Sequence, residues 1–320
     1  VSIFRDASGG SCFTGGNGLK PLGKALLTLE KDSVIIKSMN LNPIREFILN
    51  PFKTLVFALL SGSILFSSHG FPAGRDAVPA RKDIFRLTVL FNNVSFRPDL
   101  ETGWGFSCLI EGPEKTILFD TGANGDTLLS NMHRLGLDPG IVDAVILSHI
   151  HGDHTGGLKA FLTRKSDITV YIPASFPQAF LREVQNLGAA VETVSGPRKL
   201  MDDVYSTGEM GSAIREQALI LDTREGLVVV TGCAHPNVAD MARQAATFVK
   251  KPIYLLTGGF HLGGGSEAQI RKIIARLKAL GVKKVAPSHC TGDNAIRMFR
   301  EAWGKDFIDG GLGAVIELPQ

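Results

Sequence analysis

Cysteine is scarce in this chain, with four residues in 320. One of them, Cys12, lies ahead of an apolar amino-terminal run. Removal of that leader would leave Cys108, Cys233 and Cys290, an odd number that cannot form a disulfide framework. Charge of one sign is lacking too. A formal net charge of +3, with no stripe of lysine and arginine interleaved with aromatics, leaves no electrostatic footprint for nucleic acid. Internal repeats and low-complexity stretches are absent. What remains is an ordinary globular composition, 44% hydrophobic and 20% charged, with ample length for one large domain.

The first eighty residues read differently from the rest. Residues 54–66 are uncharged and strongly apolar, preceded by Arg45 and Lys53 and followed by the small residues Ser67, Ser68 and Gly70. A positive flank, a short apolar core and a small-residue exit form the order of a secretory signal peptide. The core is shorter than the roughly 20 residues that span a bilayer, although stretched to Ala73 it nearly reaches. The expectation is export, with residues 39–80 as a signal peptide and linker, or alternatively an uncleaved membrane anchor. Residues 1–38 show no targeting logic, Met39 makes a sensible start, and the first segment reads as an over-extended frame. Residues 81–320 are left as the catalytic domain.

Six of the eight histidines fall in four short segments. The densest is Ser148-His149-Ile150-His151-Gly152-Asp153-His154-Thr155-Gly156-Gly157, three imidazoles and a carboxylate within six positions. Neutral imidazole nitrogens and a hard carboxylate oxygen are the mixed donors that zinc or iron accepts. Packed together without a metal, they would lose hydration for little return. The segment follows a short buried-strand pattern at 143–147. The same grammar recurs at 226–231 before Gly232-Cys233-Ala234-His235, at 253–256 before Thr257-Gly258-Gly259-Phe260-His261, and at 284–286 before Pro287-Ser288-His289-Cys290-Thr291-Gly292. Loops at the carboxyl ends of buried strands are where α/β folds gather ligands. Taken singly, His235 or His261 would pass as a hydrogen-bonded structural residue; four such sites in one chain favour ligation, least so for His261. His133 reads as surface. Cys233 and Cys290 either approach each other or the metal, or are small buried thiols beside a loop.

The signature His149-x-His151-x-Asp153-His154, the upstream Ile117-Leu118-Phe119-Asp120-Thr121-Gly122, and the later His235 and His289 resemble the metallo-β-lactamase fold superfamily. Gly105-Phe106-Ser107, Thr231-Gly232-Cys233-Ala234-His235, Gly258-Gly259-Phe260-His261-Leu262 and Ser288-His289-Cys290-Thr291-Gly292 are similar to the subgroup named for a pterin-pathway dihydropterin ribofuranosyl-aminobenzene phosphate synthase. The resemblance implies an α/β fold, a four-layer αββα sandwich with a metal site at one edge. It implies His149, His151 and His235 on a first ion, Asp153, His154 and His289 on a second, and Asp120 as an orienter of the imidazoles. The superfamily's bridging aspartate has no counterpart after the third of these strands, where His261 stands instead. Either His261 takes a place in the site or the second ion is held loosely.

An ion with three or four protein ligands keeps a position open and acidifies a bound water. The expected cofactor is zinc, as one or two ions, with iron or manganese as alternatives. Asp153 could orient that water or take its proton. His261 could protonate a leaving group or contact an anion, and the backbone amides of Thr291 and Gly292 could cradle a phosphate. The expected partner is a small-molecule substrate, possibly phosphorylated, cleaved by hydrolysis. A pterin-style transferase and a noncatalytic metal- or ligand-binding module are the rival readings, because kinship of fold does not settle function.

The remaining organisation supports one catalytic domain. Residues 84–91 read as a strand, and 106–110 with 116–119 as a hairpin around Gly112-Pro113. A helix starts at Ser266 with a capping box to Gln269 and an apolar face of Ile270, Ile273, Ile274 and Leu277. Asp293 is expected to cap the next helix, whose Ile296, Phe299 and Trp303 share a side. A strand at 313–318 closes the chain. The segment 173–211 is free of ligand-type spacing and reads as an insertion that roofs the site.

Overall fold

A computed structural model describes residues 84–319 together with two short strands near the amino terminus, β1 (Thr28–Glu30) and β2 (Ser33–Ile35), which pair antiparallel. The leader at 39–80 lies outside the described residues. Among the described residues no helix is long and apolar enough to cross a membrane.

Two sheets carry the main body. The first is built from β3 (Ile84–Asn92), β4 (Phe106–Glu111), β5 (Thr116–Phe119), β6 (Ala144–Ile146), β7 (Thr169–Pro173) and β8 (Ala190–Val194). The second comprises β9 (Arg198–Met201), β10 (Val204–Ser206), β11 (Leu219–Thr223), β12 (Gly226–Thr231), β13 (Ile253–Gly259) and β14 (Lys284–Ser288). The last strand, β15 (Val315–Pro319), returns to the first sheet and pairs antiparallel with β3. Each sheet begins as an antiparallel meander and continues as parallel strands joined through helices.

Period-two alternation explains the layering. In β5, Ile117 and Phe119 enter the core between the sheets while Leu118 faces the helical layer, and in β12 Val228 and Val230 face inward while Leu227 and Val229 face out. Strands buried on both faces read as continuous apolar runs, which is what the sequence shows. On the first sheet's outer face lie α1 (Gly125–Arg134), α3 (Leu158–Leu162) and α4 (Gln178–Asn186); the one-turn α2 (Gly152–Thr155) sits at the strand ends. On the second lie α5 (Val238–Val249), α6 (Glu267–Ala279) and α7 (Asp293–Trp303). The result is the expected αββα arrangement.

The capping box of α6 is present, with Ser266 and Gln269 bonded reciprocally. The cap of α7 is not the expected one. Gly292, at φ +79°, is the cap residue and Asp293 is already helical, without a side-chain cap bond. The segment 173–211 also departs from expectation. It supplies α4, β8, β9 and β10, and so builds an edge of each sheet instead of roofing the site. Strand β13 runs on through Thr257–Gly258–Gly259, paired with Ala286, Pro287 and Ser288, so its loop starts later than the glycines suggest.

Phe299 is fully buried, 5.4 Å from the rings of both Phe260 and Trp303. Phe299→Ala is expected to cost about 3–5 kcal/mol through the cavity left behind, read as a lowered midpoint in chemical denaturation. Because Phe260 precedes His261, the same variant should also loosen the loop at the site.

Candidate metal centre

The strand-end loops converge. Asp120 follows β5, the His149–His154 segment follows β6, Cys233 and His235 follow β12, His261 follows β13 and His289 follows β14. The ring centroids of His149 and His151 are 4.8 Å apart, and His235 lies 4.8 Å from His149 and 4.9 Å from His151. His154 and His289 are 5.1 Å apart, and His149 is 4.2 Å from His154, which joins the halves. The carboxylate Oδ2 of Asp153 faces the Nε2 atoms of His154 and His289 at 3.5 and 3.4 Å. All six expected ligands are therefore brought together.

The far nitrogens of several rings are fixed by neighbours. Asp120, wholly buried, accepts from the backbone N–H of Ser148 at 2.7 Å, from its hydroxyl at 2.6 Å, and pairs with Nδ1 of His154 at 2.7 Å. Asn93 Oδ1 lies 2.8 Å from Nδ1 of His289, and the Ser148 hydroxyl 2.9 Å from Nδ1 of His149. Each of these rings thereby turns Nε2 toward the common centre, as outer partners of metal-ligating histidines do. Asp120 belongs to none of the groups of close donors among the described residues.

Glu216 is a residue the sequence did not disclose. Its carboxylate is fully buried, and Oε1 accepts from the backbone N–H groups of Gly232, Cys233 and Ala234 at 3.1, 2.9 and 2.8 Å. Oε2 accepts from His235 N–H at 2.9 Å. The loop carrying Cys233 and His235 is thus wrapped around one side chain. Burial pushes Glu216 up to about 7 against the opposing pull of those N–H groups. Nothing in the local pattern of Arg215-Glu216-Gln217 marks it, since its partners lie 16–19 residues away.

Backbone strain collects here. Asp120, Ala234, His261 and His289 have φ of +54°, +61°, +51° and +52°, a region unfavourable for residues with a Cβ. Gly232 is required for another reason: a Cβ there would collide with the Ser148 hydroxyl and stand 2.9 Å from Asp120 Oδ2.

Electrostatics separates the rings. Burial, followed by the neighbouring His154, His235 and His151, holds His149 far below its ordinary value, and burial with His261 and His151 lowers His235 to about 4. Both are therefore neutral imidazoles at neutral pH, each with one unprotonated ring nitrogen. Burial lowers His154 as well, but Asp120 and Asp153 outweigh it and push it up to about 10. Asp153 is pulled down, against the effect of burial, by His154 and His289. A hydrogen bond with Cys290 raises His261 against burial.

The donors fit a metal. Nε2 of His235 is buried and has no hydrogen-bond partner, which would cost free energy in a site that held nothing. Asp153, His154, Cys233 and His289 offer ligand atoms within 4.8 Å of one another, as do His149, Cys233 and His235, and Cys233, His261 and Cys290. Sequence alone leaves Cys233 open between thiol packing and ligation; its Sγ lies 3.2 Å from His154 Nε2 and 3.4 Å from His289 Nε2. Cys108, by contrast, is packed between the sheets.

His261 is exposed, its ring 4.3 Å from that of His235, and it borders a cavity of ≈ 490 Å³ that also has Asn237, Gln269, Lys272 and Arg276 in its wall. Trp104, 61% exposed, lies 5.0 Å from His289. Thr291 is fully buried, and its hydroxyl accepts from Phe260 N–H and donates to the Ser288 carbonyl, tying two site loops together. His133 is exposed, beside a cavity of ≈ 720 Å³ that holds none of the clustered donors.

The model of the metallo-β-lactamase superfamily matches residues 104–239. The 7,8-dihydropterin-6-methyl-4-(β-D-ribofuranosyl)-aminobenzene-5'-phosphate synthase of Methanocaldococcus jannaschii is 30% identical over 263 residues, 67% of this chain and 89% of that protein. A solved structure described as a metal-dependent hydrolase of the β-lactamase superfamily superposes with a TM-score of 0.64 at 27% identity, covering 74% of this chain and 100% of that one. The metallo-β-lactamase fold protein YhfI of Bacillus subtilis gives a TM-score of 0.58 at 17% identity, with the same shares of the two chains, and shows the fold alone.

Proposed function

The chain belongs to the metallo-β-lactamase superfamily, and from that premise we propose that it is a metal-dependent hydrolase of small, phosphorylated or otherwise anionic molecules. The observation that carries the proposal is the convergence of His149, His151, Asp153, His154, His235 and His289, with the buried Nε2 of His235 left without a protein partner. Zinc is the proposed ion, with iron or manganese as the alternatives that nitrogen and oxygen donors also admit. When bound, such an ion supplies Lewis acidity and an acidified water.

The chain's own groups would do the rest. Asp153 stands between two ligand imidazoles and is committed to the centre rather than free as a base. His261 is the histidine of the rim, exposed and beside the cavity, and is placed to donate an N–H to a substrate oxygen. Lys272 and Arg276 in the same wall favour an anionic substrate, although Arg276 also pairs with Asp240 at 2.7 Å. A small substrate, not a nucleic acid, suits the net charge of +3. Export through residues 54–66 belongs to the proposal and is tested by the amino-terminal sequence of the mature protein.

His261→Ala is expected to leave bound metal unchanged and to lower turnover by roughly 10²-fold, the lower range for loss of a general acid. Full turnover in a variant with full metal would remove His261 from the reaction. The proposal as a whole is tested by a phosphoester and lactone panel on the metal-loaded protein. A second reading rests on the identity with the Methanocaldococcus synthase: a transferase in which the centre holds a phosphorylated sugar. Pyrophosphate release that requires an acceptor amine, with no hydrolysis on the panel, would select it. A metal-loaded protein inert in both assays would leave a binding module.

A further inference from the structure

We propose that Cys233 is a metal ligand whose sulfur is shared by both halves of the centre and stands in for the bridging carboxylate that the chain lacks. The inference rests on the metal-centre reading and adds to it a donor and a ligation pattern.

Cys233 is the one residue common to the three groups of close donors among the described residues. Its Sγ is 3.2 Å from His154 Nε2 and 3.4 Å from His289 Nε2, the same two atoms that Asp153 Oδ2 faces at 3.5 and 3.4 Å. A tetrahedral shell with metal–ligand bonds of about 2.0–2.3 Å has edges of roughly 3.3–3.8 Å. Four of the six separations among these donors, 3.2–3.5 Å, lie close to such edges, and the other two are within 4.8 Å. On its other side the same sulfur is within 4.8 Å of the ligand atoms of His149 and His235.

The placement is held from behind. Glu216 fixes the N–H groups of Gly232, Cys233, Ala234 and His235, and Ala234 adopts φ +61° between the two ligand-bearing residues, so that Cys233 and His235 both face the centre. At the carboxyl end of β13, where a carboxylate would be expected, the residues are Phe260, His261 and Leu262, and His261 packs on His235 at the rim. A buried sulfur between the Asp153–His154–His289 group and the His149–His235 group is thus the available bridge. Ligation breaks the S–H bond, forms sulfur–metal bonds and releases the proton to solvent, with no change of oxidation state. With the sulfur counted, each ion has four protein donors.

The test is zinc-edge X-ray absorption on the full-length, reduced, zinc-loaded protein without substrate, paired with zinc analysis. The expected result is a pair of zinc ions per chain and a sulfur shell at about 2.3 Å, averaging one sulfur per zinc. Cys233→Ser should abolish that shell and Cys290→Ser should leave it; should the first variant not fold, the wild-type and Cys290→Ser spectra still decide. A nitrogen–oxygen shell alone, half a sulfur per zinc, a single ion, or a shell that disappears with Cys290→Ser would overturn the inference. Stoichiometric zinc without sulfur defeats this inference alone, whereas a protein that takes up no zinc defeats the metal-centre reading as well.

Discussion

Glu216→Ala is expected to lower stability by on the order of 3–5 kcal/mol and to abolish stable metal binding together. The substitution removes the acceptor of the N–H groups of Gly232, Cys233, Ala234 and His235. Each buried donor left unsatisfied costs about 1–3 kcal/mol, and water entering the vacated space offsets part of that sum. For a domain of this size the shift in Tm should be roughly 10 °C. The loop would no longer hold Cys233 and His235 at the centre, so the metal should be lost on dialysis. Glu216→Gln retains one acceptor oxygen and should fall between. Unchanged melting and unchanged metal content in the alanine variant would show that the loop is held by something else.

Asp120→Asn should reduce metal affinity by about 10–100-fold, the usual effect of removing a hydrogen-bonding partner behind a metal-ligating histidine. The carboxylate serves three donors at once, the Ser148 N–H, the Ser148 hydroxyl and His154 Nδ1. An asparagine has one acceptor oxygen, so either Ser148 or His154 meets an N–H₂ group. Competition with a metallochromic chelator measures the loss. The pH dependence has a defined sign in the wild type. Asp120 and Asp153 push His154 up to about 10 against burial, so its proton must leave when a cation takes Nε2. Apparent zinc affinity should therefore rise with pH between about 6 and 9, by up to ~10-fold per unit for each proton released. Affinity independent of pH in that window would mean that His154 does not ligate.

The legibility of the site follows the spacing of its parts. His149, His151, Asp153 and His154 lie within one short segment, and the contiguous pattern exposes their chemistry before any fold is known. His235 and His289 were readable because each follows an apolar strand. Asn93 and Glu216 were not, since Asn93 meets His289 across 196 residues and Glu216 meets its loop across 16–19. Their role depends on which strand ends share an edge, and that is a property of sheet order. Cys233 was ambiguous because a buried thiol and a ligand have the same local sequence; only the distances to His154 and His289 separate them.

The same reasoning accounts for the fold. Strands buried on both faces advertise themselves as apolar runs, so β5, β6, β12 and β13 are plain in the sequence. Glycines misled at two places. Gly258 and Gly259 continue β13 because their backbones pair with β14, and Gly292 takes the cap of α7 that the neighbouring Asp293 seemed to own. The edge strands β8 and β9 carry weaker patterns because each is exposed along part of its length, and their place in the sheets is set by pairing partners elsewhere.

The most direct test of the whole account is the metal content of anaerobically purified protein, wild type beside His235→Ala, with thermal unfolding recorded on both. The account predicts stoichiometric zinc or iron in the wild type, and in the variant a cooperative fold that has lost the ion at the His149–His151–His235 side. A wild-type protein free of metal yet fully active, or a His235→Ala variant that keeps its full complement, would contradict it.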